Sequence, residues 1–368
     1  MGFISLGKID RNIIPIITGG IFHFSSRLLF RVETQLFTQK IFPNLLASFC
    51  RLFTLVPKLM SKLKTKKCCN FNWRHNSFEL IYGDRKEEIT KGKWKYILFS
   101  AVLVFIQGIL LLYTYQIKTN SWIWDILITC FFYYLIFKIR LYKHHYLSIV
   151  LIILIGLFID LFLGNLQNDI TKNIFLLLLR FSREILYSLI DVNNKYVMEK
   201  KYCSVYDLSL YTGIIDVILY VLFGIINYYY LKIDDFEKYF SNFDTTELLV
   251  SLGVIITQFG ILLSSLIANK NNTPCHLFII FVFGQLALYL DFSINSIILI
   301  ICFIFILFFA LVFNEIIEIN FWGLSDNTKR NIIKRAETEN IELEKNLTLS
   351  SMSEAEENRD SLIELVKQ

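Results

Sequence analysis

The sequence predicts an all-α polytopic membrane protein of about ten transmembrane helices, arranged as two inverted five-helix halves. Three observations predict it. The chain of 368 residues is 55% hydrophobic and 16% aromatic, with a mean hydropathy of +0.51. Its apolar residues are gathered into blocks such as SIILIICFIFILFFALVF, near the ~20 residues a spanning helix needs. Lysine and arginine concentrate in alternate connections between those blocks. Barrel strands alternate apolar and polar residues and are far shorter, so strands are not expected.

Taken in order, the first two helices are the weakest. Residues 12–30 carry Gly19, Gly20, His23 and Ser26 along one face. Residues 42–56, bracketed by Pro43 and Pro57, place Asn44, Ser48 and Arg51 at i, i+4 and i+7. A basic connection follows over residues 58–95, with KLKTKK, DRKEE and KGKWK. Cys68-Cys69 within it is a palmitoylation candidate, or simply a pair of reduced loop cysteines. The remaining helices are expected at 96–115, 122–137, 146–163, 174–190, 205–229, 246–268, 277–290 and 294–316.

The stretch 174–191, IFLLLLRFSREILYSLID, organises the rest. At about 100° per residue, Arg180, Arg183, Glu184, Tyr187, Ser188 and Asp191 share one arc. A charge facing lipid costs several kcal/mol, so that arc should face protein or a water-filled cavity. Glu184 can pair with Arg180 one turn away, which leaves an arginine with unspent donors. Asp216 on the next helix is the natural partner for Arg183. Arginine donors unspent at mid-membrane suit an anionic group such as phosphate, whose oxygens match the planar fork.

Other polar lines run along single faces. They are Ser100, Gln107 and Thr114; Ser209, Thr212, Asp216, Tyr220 and Asn227; and Ser251, Gln258 and Ser265, with Gln285 in the ninth helix. Such lines either border an aqueous pathway or glue helices together by hydrogen bonds. The residues expected to bind substrate are Arg180, Arg183, Glu184, Asp216, Gln258 and Gln285.

The orientation follows from the loops. Lys62 to Lys95, then Lys138, Arg140 and Lys143, then Lys195, Lys200 and Lys201, and finally Lys329 to Arg335 fall on one side when ten helices are counted. That side, with both termini, is expected in the cytosol. The bundle spans 1–320 and divides at the polar link GNLQNDITKN into halves of 1–165 and 166–320. An odd helix count per half inverts the two halves, as in many transporters. FSSR at 24–27 and FSRE at 181–184 are the faint trace of a repeat. The hydrophilic tail, 321–368, contains an expected amphipathic helix at 328–345.

Enzymatic motifs are missing. The five histidines are scattered, with His144-His145 expected to be solvated in a basic loop. There is no Walker lysine motif, HExxH or GxSxG. The seven cysteines show no metal-binding or disulfide spacing. No catalytic residue, metal or other cofactor is expected, and no cleavable signal peptide. The expected partners are the lipid bilayer and a small anionic solute, with a homodimer left open and nothing pointing to nucleic acid. The alternative is a non-transporting membrane protein that acts as an interaction or assembly factor.

The segment NNKYVMEKKYCSVYDLSLYTGIIDVILY, 193–220, resembles the drug/metabolite transporter superfamily, in particular its nucleotide-sugar-transporter-like members. The positions that carry the likeness are Glu199, Lys200, Tyr202 and Gly213. The ending NEIIEINFWGLSDNTKRNI, 314–332, is similar to tails in the same superfamily. The resemblance implies ten helices in an inverted five-plus-five repeat, cytosolic termini and solute transport in the ER, Golgi or another internal membrane. The lysine-containing motifs of well-known nucleotide-sugar transporters, late in helices seven to nine, are not present.

Overall fold

In the computed structural model, helices account for nearly every element. The structure describes residues 4–6, 13–29, 48–59, 92–114, 121–138, 141–162, 165–227, 229, 245–287, 294–320 and single positions from 324 to 338. Each apolar block of the sequence contains a helix. These are α1 (Ile14–Leu29), α2 (residues 48–59, with a 3-10 turn at Arg51–Thr54), α3 (Lys93–Thr114), α4 (Asp125–Phe137, entered by a 3-10 turn at Ser121–Trp124) and α5 (Lys143–Phe162). They continue with α6 (Asn165–Lys200), α7 (Val205–Ile226), α8 (Thr245–Asn271), α9 (Leu277–Leu286, entered by Pro274–His276) and α10 (Ile294–Phe313).

Four helices are long and apolar enough to cross a membrane, at Lys93–Leu111, Lys143–Phe162, Val205–Ile226 and Leu249–Asn271. Large apolar side chains such as Phe131, Leu161, Phe175 and Ile256 stand exposed on the outer faces. In water such a surface would aggregate, whereas in a bilayer it meets lipid tails. The chain is a helical membrane protein.

Helix α6 is central. It packs on α3, α4, α5 and α8, so the arc of charges is enclosed as its polarity requires. Helix α1 packs on α8 and α9, α7 on α2 and α3, and α10 on α5 and α9. Small residues permit the closest approaches. Gly156 of α5 lies against Ile123, and Gly260 of α8 lies against the ring of Phe22 on α1. The main apolar core gathers Trp122, Ile126, Ile152, Phe278, Phe303 and Ile306.

Three expectations need correction. The polar link at 164–173 is not a break: from Asn165 onward it forms the first turns of α6. Nor does α6 stop near residue 190. It runs to Lys200, 36 residues in all, or about 54 Å at 1.5 Å per residue. Lys195 was expected in a loop but is 3% exposed. Its Nζ donates to the carbonyls of Lys270 (2.9 Å) and Asn272 (2.6 Å), capping the end of α8, and it pairs with Glu199. The third correction is a short antiparallel ribbon outside the helices. β1 (Ile4–Leu6) pairs with β2 (Ile317–Ile319), Ile4 opposite Ile319.

The basic segments meet at one end of the bundle. Lys58 pairs with Asp207 at the start of α7, and Lys201 lies over the ring of Tyr96 at the start of α3. Phe137 at the end of α4 meets Tyr196. The ribbon places β1 beside the segment that follows α10. Of the expected tail helix, Ile332 N–H donates to the Thr328 carbonyl at 2.9 Å. Its continuation past residue 338, like Cys68-Cys69, lies outside the described residues.

Candidate functional site

Two polar centres lie inside the bundle. The first is built on α6. Glu184, 3% exposed, is its hub. Its Oε1 accepts from Arg183 Nη2 at 2.5 Å and from Ser121 Oγ at 2.9 Å. Ser121 Oγ in turn accepts from Arg180 Nε at 2.9 Å. Arg180 Nε itself lies 3.9 Å from the carboxylate. The expected i, i+4 pair is therefore present but loose, and the tight contact belongs to the adjacent Arg183. Ser121 enters because the 3-10 turn before α4 lies against α6.

Arg183 retains an unspent donor. Its Nε is buried and makes no hydrogen bond among the described residues. Arg27 of α1 is near enough to Arg183 and Tyr187 to interact with both electrostatically. Beside Arg27, Ser26 Oγ accepts from Gln258 Nε2 of α8 at 3.0 Å. One turn further along α6, Tyr187 packs edge-on against Phe281, which also meets His23. His23 Nδ1 lies 3.1 Å from the Ile280 carbonyl, a contact open to it because residue 284 is glycine and leaves room for the ring.

Beyond Tyr187 comes a carboxylate layer. Asp125 Oδ1 accepts from Ser188 Oγ at 2.6 Å and from Thr129 Oγ1 at 3.4 Å. Asp191 lies near enough to interact with Asp125. The first centre thus has a guanidinium layer and a carboxylate layer, with a phenol between them.

The second centre is Asp216, 0% exposed on α7. Its expected partner was Arg183, and this is corrected: Asp216 Oδ2 accepts from Arg51 Nη1 of α2 at 2.6 Å. Gly213, one turn earlier on the same face, is the reason. A Cβ there would lie 2.5 Å from the Cβ of Arg51, so only glycine lets α2 approach closely enough.

Of the six expected binding residues, Arg180, Arg183 and Glu184 therefore come together. Gln258 joins the neighbouring α1–α8 seam. Asp216 belongs to the second centre. Gln285 is buried late in α9 and makes no hydrogen bond or ion pair to the arginines among the described residues. Arg27, Arg51, Ser121 and Asp125 were not foreseen as members. Asp125 carried a usable signal, a carboxylate flanked by the apolar runs SWIW and ILIT. Ser121 carried none.

No protein-family model matches the chain, and no curated protein matches it.

Proposed function

We propose that the protein is a secondary transporter or exchanger of small anionic metabolites, nucleotide-sugar-like or phosphorylated, in an internal membrane. Both termini would be cytosolic, and the chain would be kin to the drug/metabolite transporters. The observation that carries this reading is Arg183. A buried guanidinium holds one carboxylate through Nη2 and keeps Nε unengaged among the described residues. Arg27 of α1 adds a second positive charge within electrostatic reach. Two guanidinium groups within electrostatic reach repel, and an anion held between them would relieve that repulsion. A phosphate or carboxylate oxygen fits that role, and the planar fork gives it direction.

The packing supports two inverted halves. Helix α1 lies on α8 and α9, just as α6 lies on α3 and α4. The pairs α2–α7 and α5–α10 join helices at equivalent places in the two halves. So do α4 and α9, where the rings of Trp122 and Phe278 meet at 5.6 Å. Exchanging the halves maps each of these contacts onto another or onto itself. Alternating access by rocking of one half against the other follows from such an arrangement, with the Arg27–Arg183 level at the seam.

The test is uptake by purified protein in liposomes across nucleotide sugars, phosphorylated metabolites and amino acids. Arg183→Ala should abolish uptake while the fold survives, because Glu184 keeps Ser121 and Arg180. Unchanged uptake, or collapse of the fold, would remove Arg183 from the site. The second reading, a non-transporting assembly factor, draws on the sharing of Glu184 among Ser121, Arg180 and Arg183. It expects no uptake of any solute and a protein that tolerates Arg183→Lys without consequence.

A further inference from the structure

A second group of side chains lies where the start of α5 meets the end of α10. His144, expected to be solvated, is instead 3% exposed. Neither of its ring nitrogens makes a hydrogen bond among the described residues. Its Nε2 nonetheless lies 3.2 Å from Glu315 Oε1, close but not aligned for one. The ring of His145 lies 4.0 Å from that of His144, centroid to centroid. One ligand atom from each of His144, His145 and Glu315 falls within 4.8 Å of the others.

The backbone adds an independent sign. Glu315 follows the last turn of α10 with φ +58°. Its N–H donates to the Val312 carbonyl at 3.1 Å, and the Ile316 N–H donates to Leu311 at 2.9 Å. This is the helix stop in which glycine ordinarily occupies the left-handed position. Glutamate there is strained, and such strain persists where the side chain has a task.

We propose that His144, His145 and Glu315 bind a divalent transition-metal ion, zinc by preference. Two imidazoles and one carboxylate form a donor set that suits zinc, with a fourth position open to water. Bonds of about 2.0–2.2 Å at tetrahedral angles set neighbouring donors about 3.3 Å apart. His144 and Glu315 already stand at that spacing. His145 must close the remaining gap. Its Nδ1 accepts the N–H of Tyr142 at 3.0 Å, a helix-start bond that it gives up or turns away from on ligation. Tyr142 is only half-buried, so water can take over that N–H. Bound there, the ion joins the start of α5 to the end of α10. It would sit four residues from Ile319, which pairs with Ile4 in the ribbon.

The test uses the full chain in detergent, without a polyhistidine tag, stripped with EDTA and titrated with Co2+ and with Zn2+. The parent protein should take up one Co2+ with the visible absorption of a four-coordinate site. Zn2+ should displace it and raise the melting temperature. Glu315→Gly suits the left-handed backbone, so it should melt no lower than the parent without metal. It should nevertheless bind Co2+ at least about tenfold more weakly. His145→Ala should show the same loss. Absence of stoichiometric Co2+ uptake by the parent overturns the site. So does undiminished binding by Glu315→Gly. A Glu315→Gly protein that melts lower than the parent, in a chain that Zn2+ does not stabilise, marks a plain His144–Glu315 ion pair and overturns it equally.

Discussion

Replacing Arg51 by alanine leaves Asp216 inside the bundle without the guanidinium that balances it. The carboxylate is 0% exposed, its Oδ2 loses the 2.6 Å bond to Arg51, and its Oδ1 has no hydrogen-bond partner among the described residues. Removing one partner of a buried pair costs about 3–5 kcal/mol, because a buried charge is left uncompensated. At roughly 2 cal/mol/K per residue, a chain of this length has an unfolding entropy near 0.8 kcal/mol/K. Arg51→Ala should therefore melt about 4–6 °C lower than the parent. Thermal unfolding in detergent, followed by the loss of the monodisperse elution peak, measures this. The double variant Arg51→Met with Asp216→Leu removes both charges and keeps most of the volume. It should regain most of the loss. A single variant within 1 °C of the parent, or a double variant as unstable as the single, would refute the pairing as the structural link between α2 and α7.

Three further outcomes follow from named contacts. Gly213→Ala places a Cβ against that of Arg51 and should destabilise by about 1–3 kcal/mol, with a smaller loss in the Arg51→Gly background where the opposing Cβ is gone; an equal drop in melting temperature in both backgrounds would contradict this. Lys195→Met strands the carbonyls of Lys270 and Asn272 and should cost about 2–3 kcal/mol, read by the same melting assay, whereas no loss would mean water serves those carbonyls equally well. Burial pushes the Cys203 thiol up to about 11. Because the raised value favours the neutral thiol, only about three in ten thousand molecules carry the thiolate at pH 7.5. A chain retaining Cys203 alone should then react very slowly with maleimide until it is unfolded, and fast labelling of the folded protein would count against its burial.

The helices were legible because lipid demands long apolar blocks, and each block in the sequence is a helix in the structure. What escaped was set by contacts between distant segments. The link at 164–173 read as a loop because it is polar, yet polar residues continue a helix that is already formed. Lys195 read as solvated because a lone lysine carries no mark of the two carbonyls that α8 presents to it. The arc on α6 was correctly placed indoors, since its burden of charge leaves no other choice. Its pairing was not, because the partner of Asp216 depends on which helix reaches it first. Gly213 settles that in favour of Arg51, and its role becomes visible only once α2 is known to lie against it. His144 was misplaced for the same reason: its neighbour Glu315 is far along the chain and meets it only through the packing of α5 on α10.

The length of α6 has a mechanical consequence. An uninterrupted helix of about 54 Å is longer than the ~30 Å hydrocarbon layer is thick, and it is stiff enough to act as a lever. A tilt of about 10° around its midpoint displaces each tip by roughly 5 Å. The midpoint of α6 lies near Arg183 and Glu184, and towards its far end Lys195 holds the carbonyls of Lys270 and Asn272 at the close of α8. A small angular adjustment at that midpoint would thus be amplified into a displacement larger than a hydrogen bond is long. The clasp must either carry α8 along with it or let go.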